Sequence, residues 1–132
     1  MNQTTYLLLR LTIGTSMFGH GLVRLPKLEG FSNWMVTSFE KSLLPQILIV
    51  PFSYALPIGE FVIGFLLLTG LFTRATLIAG GAMMIILLFG TAMIEDWDAM
   101  PSQFIHATFF AMLLQFLPAN NWAIDKLFKQ SS

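Results

Sequence analysis

The sequence has no cysteine and few charged residues. Without cysteine, the 132-residue chain itself can supply no disulfide exchange, no thiolate nucleophile and no cysteine-ligated metal. Only 11% of the residues are charged, whereas a soluble domain of this size carries about 25%. Together with a hydrophobic content of 55%, this indicates an integral membrane protein, because too little polar side chain remains to cover a water-facing surface. The formal net charge is zero, so no basic patch predicts a nucleic-acid partner.

Four apolar runs are each close to the ~20 residues that a helix needs to cross a bilayer. They lie at about residues 5–25, 46–72, 75–94 and 102–117. Pro51 and Pro57 fall in the first half of the second run, where we expect a kink or a broken first turn. The first run has Arg10 inside it and no small-residue cleavage site after it, so it is expected to be a permanent span. The sequence thus predicts one domain over residues 1–132, an all-α membrane fold with a bundle of four transmembrane helices.

The longest connection, residues 26–45, has the pattern of an amphipathic helix. Its apolar residues recur at steps of three and four, and they are Phe31, Trp34, Met35, Phe39 and Leu43. A stripe that contains tryptophan and phenylalanine is typical of a helix lying flat at the membrane interface. We therefore predict a short interfacial helix at about residues 30–42, between the first and second spans.

The placement of lysine and arginine predicts the orientation. With four spans, both termini and the turn after the second span share one side. That side carries Arg10, Arg74, Lys126 and Lys129. The opposite side carries Arg24, Lys27 and Lys41. The excess of one basic residue favours cytoplasmic termini in the inner membrane of the cell.

Three ionisable residues fall at one predicted depth of the bilayer. At ~1.5 Å of rise per residue, His20 lies roughly 8 Å below the outer end of the first span. Glu60 lies about seven residues, or roughly 10 Å, into the second span if the regular helix starts near Ser53. His106 lies roughly 6 Å into the fourth span. A charge at mid-membrane costs about 2.5–3.5 kcal/mol, so such residues normally face the bundle interior and find partners there. We expect Glu60 to pair with His20, His106 or Arg24.

Helix periodicity places other polar residues beside these three. Ser16 and Arg24 share the face of His20, Gly64 shares that of Glu60, and Gln103 shares that of His106. Each member of the layer also has a structural interpretation, as a pin that hydrogen-bonds a neighbouring helix or as a group that reaches interfacial water. Arg10, at the other end of the first span, is expected to extend to the membrane surface or to bond Gln115.

The chemistry that fits this layer best is the binding of a quinone headgroup. Quinone sites combine apolar walls, a few hydrogen-bond donors and protonatable groups, and aromatic residues such as Phe18 are available for the walls. Two histidines and a glutamate could also ligate a metal ion. No metal is predicted, however, because the three residues come from separate helices and lack the local spacing of a metal motif.

The first two apolar runs resemble the DoxX family. In "LLLRLTIGTSMFGHGLVRL" the resemblance rests on Arg10, Gly14, Phe18, His20, Gly21 and Arg24. In "GEFVIGFLLLTGLFTRATL" it rests on Glu60, Gly64, Leu67, Gly70 and Arg74. The family often has lysine where this sequence has Arg24. The resemblance implies a small four-helix membrane protein of a kind often described as an oxidoreductase. One related branch is similar to a subunit of thiosulfate:quinone oxidoreductase, and distant relatives include assembly factors.

Two functional hypotheses follow. The first is a redox-associated subunit that binds a quinone or another small molecule in the polar layer, with a partner redox subunit or a second copy beside it in the lipid membrane. The second is a non-catalytic scaffold or assembly factor for a partner membrane protein. Whether the chain is itself an enzyme, and which cofactor it uses, stay open at this point, with quinone as the candidate. Under the first hypothesis the catalytic residues are His20 and Glu60. The substrate-binding residues are Arg24, His106, Phe18 and Gly64.

Overall fold

The computed structural model describes residues 1–127, and this part of the chain is helical without strands. Lys129, which entered the prediction of orientation, lies outside the described residues. The α-helices are α1 (Gln3–Arg24), α2 (Leu28–Ser38), α3 (Gln46–Thr69), α4 (Thr73–Met93) and α5 (Met100–Gln115). Short 3₁₀ turns lie at Leu25–Lys27, Trp97–Ala99, Leu117–Ala119 and Ile124–Leu127.

The all-helical fold is confirmed, and the four long helices begin and end within a few residues of the predicted runs. By length and composition, α3 and α4 are apolar enough to cross a membrane. In the part of the chain that the structure describes, α1 and α5 do not meet the same criterion. One reason is visible for α5, which has only 16 residues. Membrane crossing by all four helices therefore stays a prediction.

The prolines do not interrupt α3. Pro51 and Pro57 both lie inside one continuous helix, so of the two alternatives the broken first turn is wrong, and a kink at the prolines stays a prediction. A hydroxyl network lies between the two prolines. Ser53 donates to the carbonyl of Val50 at 2.6 Å, so its only hydroxyl proton is used and Ser32 of α2 must donate to Ser53, also at 2.6 Å. The contact with α2 thus stabilises the part of α3 in which the two prolines lack backbone N–H groups.

The amphipathic helix before α3 is present as α2, and it is shorter than predicted. Met35 and Phe39 are buried and pack with Ile49 and Leu56 of α3. Leu43 is 89% exposed and lies beyond the end of the helix, so it does not belong to the apolar stripe. Trp34 is also on the outer side of α2, with 55% of its surface exposed. A location of α2 at the membrane interface stays a prediction.

Glycines let α1 and α3 approach each other closely. A Cβ added to Gly21 of α1 would lie 2.4 Å from the backbone nitrogen of Phe61. A Cβ added to Gly64 of α3 would lie 2.2 Å from the backbone nitrogen of Phe18. Only glycine permits a backbone contact of this kind between helices. This contact fixes the position of the α1 residues relative to α3.

A buried polar cluster at the other end of the bundle binds the segment that follows α5, which we call the C-terminal segment. Arg10 is 2% exposed and donates to the carbonyl of Leu67, to Asn120 Oδ1 and to the carbonyl of Trp122, at 2.8, 2.6 and 2.9 Å. The expectation that Arg10 reaches the surface or bonds Gln115 is therefore wrong. Asp125 accepts from the backbone N–H groups of Phe72 and Thr73 at the start of α4. The segment after α5 is thus joined to α1, α3 and α4.

Candidate functional site

Glu60 is buried in α3 and forms an ion pair with Arg24 of α1. Arg24 Nη1 donates to Glu60 Oε1 at 2.8 Å, and the side chains are 32% and 5% exposed, respectively. The guanidinium of Arg24 also lies 4.6 Å from the centre of the Phe31 ring of α2. Of the three partners expected for Glu60, the structure selects Arg24, so the carboxylate is tolerated because a cation from the neighbouring helix pairs with it.

The two histidines lie next to this pair and next to each other. Their ring centres are 6.1 Å apart, with the ring planes almost perpendicular. His20 Nδ1 is 2.7 Å from the carbonyl of Ser16, one turn earlier in α1, and His106 Nδ1 is 2.7 Å from the carbonyl of Ser102. His106 Nε2 is 2.7 Å from the hydroxyl of Ser16, which joins α5 to α1.

These contacts decide where each neutral imidazole carries its proton. A carbonyl oxygen only accepts hydrogen bonds, so Nδ1 must be the protonated nitrogen in both rings. Nε2 is then an acceptor in both rings. In His106 this acceptor is used by the Ser16 hydroxyl, whereas Nε2 of His20 has no hydrogen bond within residues 1–127. His20 Nε2 is therefore available to accept a hydrogen bond from a ligand, whereas His106 Nε2 is not.

A cavity of about 620 Å³ opens beside these residues. All five helices line it, and its walls are mostly apolar, with Met35, Phe39, Phe52, Leu56 and Leu87 among them. The polar residues on its wall include His20, Arg24, Glu60, Gln103 and His106. The volume is that of a small-molecule site, for which about 300–1,000 Å³ is usual. No group of three or more histidine, aspartate or glutamate residues within residues 1–127 is placed to hold a metal ion.

Gln103 is a functional candidate that the sequence analysis did not select. Its Nε2 donates to Thr91 Oγ1 of α4 at 2.8 Å, while its Oε1 is buried and has no hydrogen-bond partner in the described part of the chain. A buried acceptor without a partner is unfavourable by about 1–3 kcal/mol, so it needs an explanation. The signal in the sequence was its position one turn before His106 on a largely apolar helix.

Phe18 and Gly64 lie in the helix contact and not on the cavity wall. The Gly64 backbone touches the backbone of Phe18, and the Phe18 ring packs against Phe61 with 4.8 Å between ring centres. Neither residue lines the cavity. The structure thus brings together four of the six predicted site residues, His20, Arg24, Glu60 and His106. The other two hold α1 and α3 at the separation that the ion pair needs.

A family model described as DoxX matches residues 5–96, which run from the start of α1 to just beyond α4. His20, Arg24 and Glu60 lie within the matched region, and Gln103 and His106 lie after it. No curated protein and no solved structure matches the chain.

Proposed function

The chain belongs to the DoxX family of membrane proteins, and from that premise we propose that it is a redox-associated subunit whose cavity binds a quinone or another amphipathic small molecule of the membrane. The main support for this proposal is that the cavity wall has one polar part and one apolar part. An ion pair and two histidines face a space of about 620 Å³ whose remaining walls are mostly apolar. A ring with polar oxygens and an apolar tail matches that division.

Arg24 and His20 are the residues that the proposal places against the ligand oxygens. Arg24 uses one N–H group on Glu60 and has further donors for a carbonyl oxygen of the ligand. His20 has an Nε2 without a hydrogen bond in the described part of the chain, and the proposal places this nitrogen against a ligand hydroxyl as a proton acceptor. Glu60 positions the Arg24 guanidinium. Because the sequence has no cysteine, the proposal assigns the transfer of electrons to a partner redox subunit.

Substitution of Glu60 by glutamine tests the binding site. The variant keeps the shape of the side chain and a hydrogen-bond acceptor, but it removes the charge that holds the guanidinium. We expect it to fold and to insert in the membrane, while its affinity for a decyl-substituted benzoquinone falls roughly tenfold, as for the loss of one charge-assisted hydrogen bond. Calorimetric titration of the purified full-length protein measures this change.

Glu40→Gln is the matched control, because Glu40 is exposed and does not line the cavity. It should bind the benzoquinone like the wild-type protein. Unchanged binding in Glu60→Gln would instead support the scaffold hypothesis, in which the ion pair only fixes the register of α1 against α3. A wild-type protein that binds no benzoquinone would end the proposal.

We also propose that α1, α3, α4 and α5 all cross the inner membrane with both termini in the cytoplasm. Because the chain has no cysteine, an introduced cysteine is its only thiol. In intact cells, a membrane-impermeant maleimide should label Glu40→Cys and Asp98→Cys and should leave Thr4→Cys unlabelled until the membrane is permeabilised. All three positions are exposed in the structure, so burial in the protein does not explain a difference. Labelling of Thr4→Cys from outside would reverse the orientation.

A further inference from the structure

We infer that the cavity selects the reduced, dihydroxy form of a quinone over the oxidised form. This inference rests on the proposed function and adds the chemical state of the ligand. It starts from the polar groups of the cavity wall that remain without partners. Two of them can only accept hydrogen bonds, Gln103 Oε1 and the Nε2 of neutral His20.

In the structure, Gln103 turns its amide nitrogen, and not its carbonyl oxygen, towards Thr91 of α4. The amide nitrogen donates to Thr91 Oγ1, which leaves the carbonyl oxygen as the buried atom without a partner. This oxygen is already buried without a ligand, so its cost as an unpaired acceptor is removed only by a ligand that reaches it with a donor. The oxidised ring has two carbonyl oxygens and no donor. The hydroquinone has two O–H groups.

His20 adds a second acceptor with the same preference. Its Nδ1 proton is held by the Ser16 carbonyl, so the neutral ring can only accept at Nε2. Its neighbour His106 does not compete for a ligand hydroxyl, because its own Nε2 already accepts from Ser16. A hydroquinone could therefore donate to Gln103 with one hydroxyl or to His20, whereas the quinone could donate to neither.

Arg24 does not cancel this preference. Its N–H groups that are not bonded to Glu60 can donate to a ligand oxygen, and the oxygens of both ligand forms accept such bonds. Arg24 thus contributes to affinity for either form and leaves the discrimination to the two acceptors. The preference for the hydroquinone is expected to equal the contribution of one hydrogen bond to a buried acceptor, which is roughly tenfold in Kd.

The test uses three probes that share one ring and one decyl tail. They are the decyl-substituted benzoquinone, the hydroquinone obtained by reducing it, and the dimethyl ether of that hydroquinone, which has no donor. Calorimetric titration of the full-length protein in lipid nanodiscs under argon should give a Kd for the hydroquinone roughly tenfold below those of the other two. The ether separates the effect of the hydroxyl donors from that of the ring's electronic state.

Gln103→Met keeps the length of the side chain and removes the acceptor, and Gln115→Met is its control on the same helix. Gln115 is exposed and does not line the cavity. We expect Gln103→Met to lose most of the preference for the hydroquinone while its Kd for the benzoquinone stays the same, and Gln115→Met to behave like the wild-type protein. A preference that is unchanged in Gln103→Met would overturn the role given to Gln103, and loss of the preference in Gln115→Met as well would overturn the inference.

Results with the wild-type protein separate this inference from the proposed function. Equal affinity for the hydroquinone and the benzoquinone, or tighter binding of the benzoquinone, would overturn the selectivity and leave quinone binding intact. Absence of binding for all three probes would overturn the proposed function, and the selectivity with it.

Discussion

Replacement of Gly64 by alanine is expected to lower the free energy of unfolding by roughly 3 kcal/mol, because the new methyl group collides with a backbone. Its Cβ would lie 2.2 Å from the nitrogen and 2.5 Å from the Cα of Phe18. A backbone atom in a helix cannot rotate away, so α1 and α3 must move apart. The higher helix propensity of alanine, worth about 1 kcal/mol, acts in the opposite direction and is too small to compensate.

Separation of the two helices also affects the site. Arg24 lies on α1 and Glu60 on α3, and their 2.8 Å bond depends on the same contact. The Phe18 and Phe61 rings, which pack beside Gly64, would lose part of their contact as well. Gly64→Ala should therefore bind the decyl-substituted benzoquinone more weakly in addition to melting at a lower temperature.

Gly19→Ala is the matched control, because a Cβ at Gly19 of α1 meets no atom within 4 Å. The control should be as stable as the wild-type protein or more stable by up to about 1 kcal/mol. Reversible unfolding in detergent, followed by circular dichroism, measures both variants. Equal stability of Gly64→Ala and Gly19→Ala would contradict the close packing of α1 on α3.

The sequence predicted that the three ionisable residues come together, whereas it did not predict their side-chain partners. The assumed start of the regular helix near Ser53 is wrong, because α3 begins at Gln46. His20, Glu60 and His106 gather beside one cavity because a regular helix rises by a constant amount per residue and the successive helices alternate in direction. The partner of Glu60 depends on side-chain reach and rotamer. Arg24 lies one turn beyond His20 in α1, and its longer side chain makes the ion pair. The sequence pattern offered His20, His106 and Arg24 with equal support.

A glycine in an apolar helix has the same sequence pattern whether it faces a ligand or a neighbouring helix. Gly64 was predicted to bind substrate because it shares a face with Glu60, and the structure places α1 against that position. Gln103 was recognised as a neighbour of His106, but its unpaired oxygen depends on the position of Thr91 in another helix. Both features depend on how neighbouring helices pack, and the periodicity of a single helix carries no information about its neighbours.

Sequence periodicity is least informative for the described segment that follows α5. The segment after Pro118 has no helical period, and its main partner, Arg10, lies more than 100 residues earlier. Arg10 could be seen to need a partner, but the nearest candidate on a predicted helix was Gln115. The structure shows that the segment after α5 instead packs against the end of the bundle where Arg10 lies. This segment supplies Asn120 and the Trp122 carbonyl as acceptors for Arg10.

Replacement of Arg10 by methionine is expected to release this segment and to lower the free energy of unfolding by about 3 kcal/mol or more. Methionine fills much of the same apolar volume, so the change isolates the three hydrogen bonds to Leu67, Asn120 and Trp122. Two of the acceptors are backbone carbonyls that would lose a charged donor, and each such bond is worth about 1.5–3 kcal/mol. Asn120 would keep its 3.1 Å bond to Thr73, so the segment should loosen before the bundle unfolds.

Limited trypsin digestion distinguishes local release from general unfolding, since Lys126 lies in the fastened segment beside the buried Asp125. In Arg10→Met, cleavage after Lys126 should accelerate strongly under conditions in which the helices stay intact by circular dichroism. Arg74→Met is the control, because it removes an arginine that is exposed near the start of α4. It should show the wild-type rate of cleavage and an unfolding free energy within about 0.5 kcal/mol of wild type. If the two variants were cleaved at the same rate, Arg10 would not be the residue that holds the C-terminal segment, and the bonds of Asn120 and Asp125 to the start of α4 would have to hold it instead.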